Sequence, residues 1–169
     1  GIDIGSSKIA TLIGKVEEET VNILGVSEVL SKGIRKGQIV DIEEAAGAIN
    51  VSLDAAERMA GYSVNHVFVA ISGVHIESQN SKGIVAISEP QGEISDADVN
   101  RVLEAAGAVS LPSTVTIIHV LPKTFTVDGE SGIKDPIGMT GVRLEVDTHI
   151  VTANTTSVKN VERVLEQEA

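Results

Sequence analysis

The chain has 169 residues, of which 42% are hydrophobic, 22% charged and 2% aromatic, and its formal net charge is −11. This is the composition of a globular protein with a core of Val, Ile, Leu and Ala, and its acidity argues against nucleic acid or an anionic membrane surface as a direct partner. The absence of cysteine excludes disulfides and thiolate metal sites, and no apolar run reaches the roughly 18 residues that a membrane span needs.

The first part of the chain predicts three consecutive strands, because β-branched residues dominate residues 1–30 and only short turns interrupt them. A loop is predicted at residues 32–38, where glycines punctuate the sequence. Apolar residues then recur at spacings of three and four, which predicts a helix with Asp41 as its N-cap and Gly61 at its C-terminal end.

The rest of the chain returns to strands and adds two further helices. Ser95 followed by Asp98 resembles a capping box and starts the second helix, and Thr155 or Thr156 can cap the last one. Pro122 separates two short strands. Strands are predicted at 64–71 with Ile76, 83–87, 115–120, 124–127 and 142–150. A turn is predicted at 90–93, after the strand at 83–87. In this element order, the first and last parts of the chain can share one sheet with the middle inserted between them.

A candidate phosphate-binding hairpin lies at the start of the chain, in the sequence GIDIGSSK. It fits neither the Walker A nor the dinucleotide pattern, because the turn leads into β-rich residues and not into a helix. Successive N–H groups of the turn, the hydroxyls of Ser6 and Ser7, and Lys8 could together bind an anion, while Asp3 could hold a hydrated Mg²⁺. The alternative is an ordinary hairpin turn with a charged residue in its strand.

Four segments resemble a known family. Residues 1–9 resemble the first phosphate loop of the actin, Hsp70 and sugar-kinase superfamily. The other three are similar to segments of the bacterial cell-division proteins of the FtsA family. They read GIRKGQIVD at residues 33–41, HVLP at 119–122 followed by Asp128-Gly129, and PIGMTGVRLE at 136–145.

The resemblance implies an α/β fold with an α+β insert. An actin-like, ribonuclease-H-type subdomain 1A would comprise residues 1–69 and 142–169. A small strand–helix–strand–strand (SHS2-like) subdomain 1C would comprise residues 70–141. Because the sequence begins within a strand pattern and stops within a helical one, we expect it to be a piece of a longer protein.

The resemblance also implies a function, in which ATP with Mg²⁺ binds at Asp3, Gly5, Ser6, Ser7 and Lys8, with water-mediated metal contact at Asp3. The family implies a scaffold that is at most a weak ATPase and self-associates into filaments. It links FtsZ to the cytoplasmic face of the membrane at the division site and recruits later division proteins. The membrane-binding helix would lie outside this chain. The alternatives are a pilus-assembly adaptor of the PilM type and a small-molecule kinase of the same superfamily.

Overall fold

The computed structural model describes residues 1–87 and 92–166, which form two compact units. Gly1–His75 and the described residues from Thr156 onwards make up the first unit, and the described residues of Ile76–Thr155 make up the second. The helices in this part of the chain are α1 (Ile42–Ala60), α2 (Asp96–Gly107) and α3 (Thr155–Glu166). The strands are β1 (Ile2–Ile4), β2 (Lys8–Glu17), β3 (Thr20–Leu30), β4 (Ile34–Arg35), β5 (Gln38–Ile39), β6 (Val69–Ile71), β7 (Ile76–Ala86), β8 (Val115–Val127), β9 (Glu130–Ile133) and β10 (Arg143–Asn154).

The first unit is built on a four-stranded sheet in the order β3-β2-β1-β6. β1 is antiparallel to β2 and parallel to β6, so the carboxyl ends of β1 and β6 reach the same edge of the sheet. Alternate residues of β2, namely Ile9, Thr11 and Ile13, are buried, as expected for a strand with one covered face. The core of this unit includes Ile2, Ile4, Ile9, Ile49, Val161 and Val164.

Helix α1 begins and ends as the sequence predicts. The Asp41 carboxylate accepts a hydrogen bond of 3.0 Å from the Glu44 N–H, and Gly61 adopts the left-handed conformation at the C-terminal end. The buried face of α1 consists mainly of alanines, so the helix approaches the sheet closely. The approach is tightest at Gly25 of β3, where an added Cβ would lie 2.1 Å from the carbonyl oxygen of Ala56.

The second unit is a four-stranded sheet in the order β7-β10-β8-β9, with α2 packed against it. The capping box predicted at Ser95 is confirmed, because the Ser95 side chain accepts from the Asp98 N–H and the Asp98 carboxylate accepts from the Ser95 N–H. The core of this unit includes Ile94, Val102, Ala106, Phe125, Leu144 and Val146.

Several predicted strand boundaries differ from the structure. The predicted loop at 32–38 contains most of the small hairpin β4–β5, which ends at Ile39. The strand expected at 64–71 begins only at Val69, and β7 is continuous where two strands were expected. The turn predicted at 90–93 lies partly outside the described residues.

Pro122 does not break β8, which runs through it. The register of β8 against β10 shifts beside Pro122, and β9 pairs only with residues 125–127. Pro122 therefore lies next to a bulge, where β8 has a neighbour on one side only and a proline is tolerated within a sheet.

The boundary between the two units also differs from the expected one. Residues from 142 onwards were expected to belong with the first unit, but β10 pairs along its length with β7 and β8. It is a central strand of the second sheet, and the second unit accordingly extends to Thr155.

Candidate functional site

The candidate phosphate turn is the tip of the β1–β2 hairpin. Ile4 pairs with Ile9, and the Gly5 N–H donates a hydrogen bond of 3.1 Å to the Lys8 carbonyl oxygen. Ser6 and Ser7 form the exposed tip between these two residues. The prediction of a turn leading into a strand is therefore confirmed.

The tip offers a set of donors without internal partners. In the described residues, no acceptor is placed for the backbone N–H of Ser6 or of Ser7, whereas the Ser7 carbonyl accepts from the Ser31 N–H at 3.0 Å. Two N–H groups and two hydroxyls at an exposed turn are suited to an oxyanion such as a phosphate. On this observation Ser6 and Ser7 fit the phosphate-binding role.

Lys8 is engaged elsewhere. Its ammonium lies 2.7 Å from Glu28 Oε2 on the neighbouring strand β3, and this hydrogen bond with the charge of Glu28 raises the pKa of Lys8. Both side chains are exposed, and an exposed ion pair is worth little in water. The lysine is therefore fully charged, but a phosphate would have to compete with Glu28 for it.

Asp3 lies in β1 between the buried Ile2 and Ile4, with its side chain on the exposed face of the sheet, opposite Ala10 of β2 and Ala70 of β6. No cluster of three or more potential metal ligands occurs within residues 1–87 and 92–166. A single carboxylate suits an ion that keeps most of its water and arrives with phosphates, which is the usual behaviour of Mg²⁺.

Two further loops, which no motif in the sequence assigns to the site, meet the turn. The Ser6 Oγ accepts a hydrogen bond of 2.8 Å from the Gly37 N–H, at the tip of the β4–β5 hairpin. Ser72 and Gly73, which follow β6, pack against the same tip. The Lys36-Gly37 dipeptide carried a turn signal, but no pattern in the sequence links it to Ser6.

Comparisons with known proteins agree with the resemblance noted in the sequence. A family model described as the SHS2 domain inserted in FTSA matches residues 73–152. The cell division protein FtsA of Borreliella burgdorferi is 42% identical over 96% of this chain and 40% of its own length. The chain belongs to the FtsA family. The FtsA proteins of Bacillus subtilis and Escherichia coli K12 are 42% and 36% identical, over 98% and 99% of the chain and 38% and 40% of their own lengths. The chain thus spans about two fifths of the length of these FtsA proteins.

A solved structure supports the fold. The chain resembles one described as the PilM-PilN type IV pilus biogenesis complex, with a TM-score of 0.59 and 16% identity over 98% of this chain and 43% of that one. Because the sequence identity is only 16%, this structural similarity supports the fold and says nothing about function. With the SHS2 match, it supports an actin-like α/β fold with an SHS2 insert for this FtsA chain. Among the described residues, no helix is both long and apolar enough to span a bilayer.

Two of the FtsA-like segments are joined by hydrogen bonds within the second unit. Asp128 begins the two-residue turn between β8 and β9, and its carboxylate accepts from the N–H groups of Val142 and Arg143, the latter at 2.8 Å. The Asp128 N–H donates in return to the Arg143 carbonyl at 3.0 Å. Asp128 thus fixes the start of β10, one of the two inner strands of the second unit, which contains most of the SHS2 match and is called the SHS2 unit below.

Proposed function

We propose that this chain is part of a cell-division scaffold of the FtsA type, which binds ATP with Mg²⁺, self-associates, links FtsZ to the cytoplasmic face of the membrane and recruits later division proteins. The observation that carries the proposal is the identity of 36–42% to FtsA proteins over 96–99% of this chain. The aligned stretch covers both compact units, so the similarity includes the part with the proposed phosphate turn as well as the inserted domain.

The geometry of the β1–β2 turn supports the ATP-binding part of the proposal. Ser6 and Ser7 present hydroxyls and N–H groups to solvent, and Asp3 presents a carboxylate two residues before Gly5 on the exposed face of the same hairpin. A phosphate at the tip could therefore be met by donors, while a hydrated Mg²⁺ on that phosphate could be met by Asp3. When bound, Mg²⁺ would neutralise phosphate charge that would otherwise repel Asp3.

In the proposed function, ATP acts as a ligand that orders the protein more than as a substrate, so hydrolysis is at most slow. The SHS2 unit is the proposed surface for filament neighbours and later division proteins. These roles place the protein in the cytoplasm, peripheral on the membrane at the division site.

A segment exchange in Bacillus subtilis tests the proposal in the setting where this chain would act. The matching segment of the resident FtsA, about two fifths of that protein, is replaced by residues 1–169 of this chain. We expect a fluorescently tagged hybrid to collect at mid-cell and to sustain division at normal cell length. A matched hybrid carrying Ser7→Glu, which places a carboxylate at the proposed phosphate position, should fail to do so. A hybrid that is stable and abundant but stays diffuse would contradict the proposed function.

A further inference from the structure

The tip of the β4–β5 hairpin holds the side chain of Ser6 in a defined position. The Gly37 N–H donates to Ser6 Oγ at 2.8 Å. A serine hydroxyl that accepts in this way keeps its own proton for donation. The described residues provide no acceptor for that proton, and Ser6 is exposed. The hydroxyl is therefore held by one contact and left with one free donor.

The position of Gly37 is itself tightly constrained. Its φ is +76°, and an added Cβ would lie 1.8 Å from the carbonyl oxygen of Ser72. The preceding residue Lys36 also has a positive φ, of 50°, and its carbonyl oxygen packs against Gly73. A glycine is thus required at position 37 both for the backbone conformation and for the close approach of the loop after β6.

The base of the same hairpin is tied to a helix. The Gly33 carbonyl accepts from the N–H groups of Val40 and Asp41, at 2.8 and 3.1 Å, and Asp41 is the N-cap of α1. The β4–β5 hairpin is therefore tied at its base to the N-cap of α1, while its tip, which contacts Ser6, packs against residues 72–73. Packing and hydrogen bonds around a ligand-contacting group are what a preorganised binding site needs.

We infer that Gly37 is a positioning residue for the phosphate turn, and that its N–H orients the Ser6 hydroxyl so that the hydroxyl proton is donated to a phosphate oxygen. The inference rests on the proposed ATP-binding function and deepens it. It adds a second hairpin, β4–β5, to the group of elements that define the nucleotide site.

A double-mutant cycle read out by ATP titration tests this coupling in a full-length FtsA-type protein that contains this segment. We expect Gly37→Ala to weaken ATP binding by about fivefold or more, and to change it by less than about twofold when Ser6 is already alanine, because Gly37 then has no hydroxyl to orient. Gly61→Ala is the matched control. It has a similar φ of +81° but nothing within 4 Å of the added Cβ, so it should lower stability and leave ATP affinity unchanged.

Additive effects of the two substitutions, or an unchanged ATP affinity in a folded Gly37→Ala protein, would overturn the inference alone. If the parent protein does not bind ATP, the proposed ATP-binding function fails and this inference fails with it.

Amide hydrogen exchange supplies a second test that does not need the Gly37 variant to fold. In Ser6→Ala the exchange of the Gly37 N–H should accelerate by about tenfold or more, whereas Ser6→Thr, which keeps the hydroxyl, should retain the slow exchange. Unchanged exchange in Ser6→Ala would show that Gly37 does not hold the Ser6 side chain.

Discussion

The Lys8 ammonium lies 2.7 Å from Glu28 Oε2, across the β2–β3 strand pair and one residue beyond the Ser6-Ser7 tip. Leu30 is the residue directly opposite Lys8, and Glu28, which pairs with Ala10, lies two residues before it on the same strand. The positive charge of Lys8, the residue that follows the tip, is therefore shared with a carboxylate, and a phosphate at the tip would compete with Glu28 for it.

Glu28→Gln should strengthen ATP binding by about two- to fivefold at low salt, because it releases Lys8 and removes a negative charge near the phosphates. Lys8→Ala should weaken binding by about tenfold, or ~1.4 kcal/mol. Both are measured by calorimetric titration of the full-length protein. The exposed pair of Lys15 with Glu17 on the same hairpin serves as control, and Lys15→Ala should leave the affinity unchanged. A weaker ATP affinity in Glu28→Gln would contradict the proposed competition and show that Glu28 favours ATP binding.

The β2–β3 turn holds two non-glycine residues in a strained left-handed conformation, and a substitution can relieve this strain. Glu17 pairs with Thr20, and the two residues between them, Glu18 and Glu19, have φ values of 44° and 67°. Two left-handed residues make a type I′ turn, which favours glycine at its second position. Glu19→Gly should therefore raise the free energy of unfolding by about 1 kcal/mol, measured by urea denaturation. Glu19→Gln removes the charge but keeps the Cβ, so an equal gain in that control would point to charge repulsion in place of backbone strain.

The contact between α1 and β3 should not tolerate an added methyl group. Gly25→Ala would place a Cβ 2.1 Å from the Ala56 carbonyl oxygen, and such overpacking destabilises by about 1–3 kcal/mol. Gly47→Ala is the matched control, since it adds a methyl to the exposed side of α1 with nothing within 4 Å, and it should stabilise by about 0.5–1 kcal/mol. Thermal unfolding of both variants should therefore show a lower stability for Gly25→Ala and a higher one for Gly47→Ala. An unchanged stability in Gly25→Ala would contradict the close packing of α1 on β3.

The sequence was most informative where a single local rule decides the structure. Asp41 and Ser95 were predicted as helix N-caps from the side-chain oxygen alone, and both accept the expected N–H. The Ser6-Ser7 turn was predicted because a glycine followed by two serines and a β-rich run favours a hairpin tip.

The parts that the sequence did not predict depend on long-range contacts. The hydrogen bond between Gly37 and Ser6 joins residues 31 positions apart, and no periodicity carries that information. Similarly, alternation predicted β10 as a strand, but its partners β7 and β8 are set by tertiary pairing. The path of β8 through Pro122 depends on the local bulge and on the short reach of β9.

The capping box of α2 predicts a dependence of stability on pH. The Ser95 N–H, the Ser95 hydroxyl and Arg101 hold the pKa of Asp98 below its ordinary value. The stability from the charged carboxylate is therefore complete above the pKa of the unfolded chain, and it is lost as the pH falls through the lower pKa of the folded state.

Ser95→Ala should cost about 1 kcal/mol at neutral pH, and this difference from the parent protein should shrink in acid as the pH falls through the lowered pKa of Asp98 and the carboxylate becomes protonated. Urea denaturation at a series of pH values measures it. Ser95→Thr keeps the hydroxyl and should follow the parent profile. A difference that grows in acid would contradict the assignment.

Whether the β1–β2 turn of this FtsA chain binds the phosphates of ATP is tested most directly by titrating ATP into the full-length protein with and without Ser7→Glu. Ser7 is exposed at the hairpin tip, so the substitution adds charge at the site without disturbing the core. We expect the Ser7→Glu protein to bind ATP at least about tenfold more weakly, ~1.4 kcal/mol, with unchanged thermal stability in the absence of nucleotide. An ATP affinity equal to that of the parent protein would remove the turn from the nucleotide site.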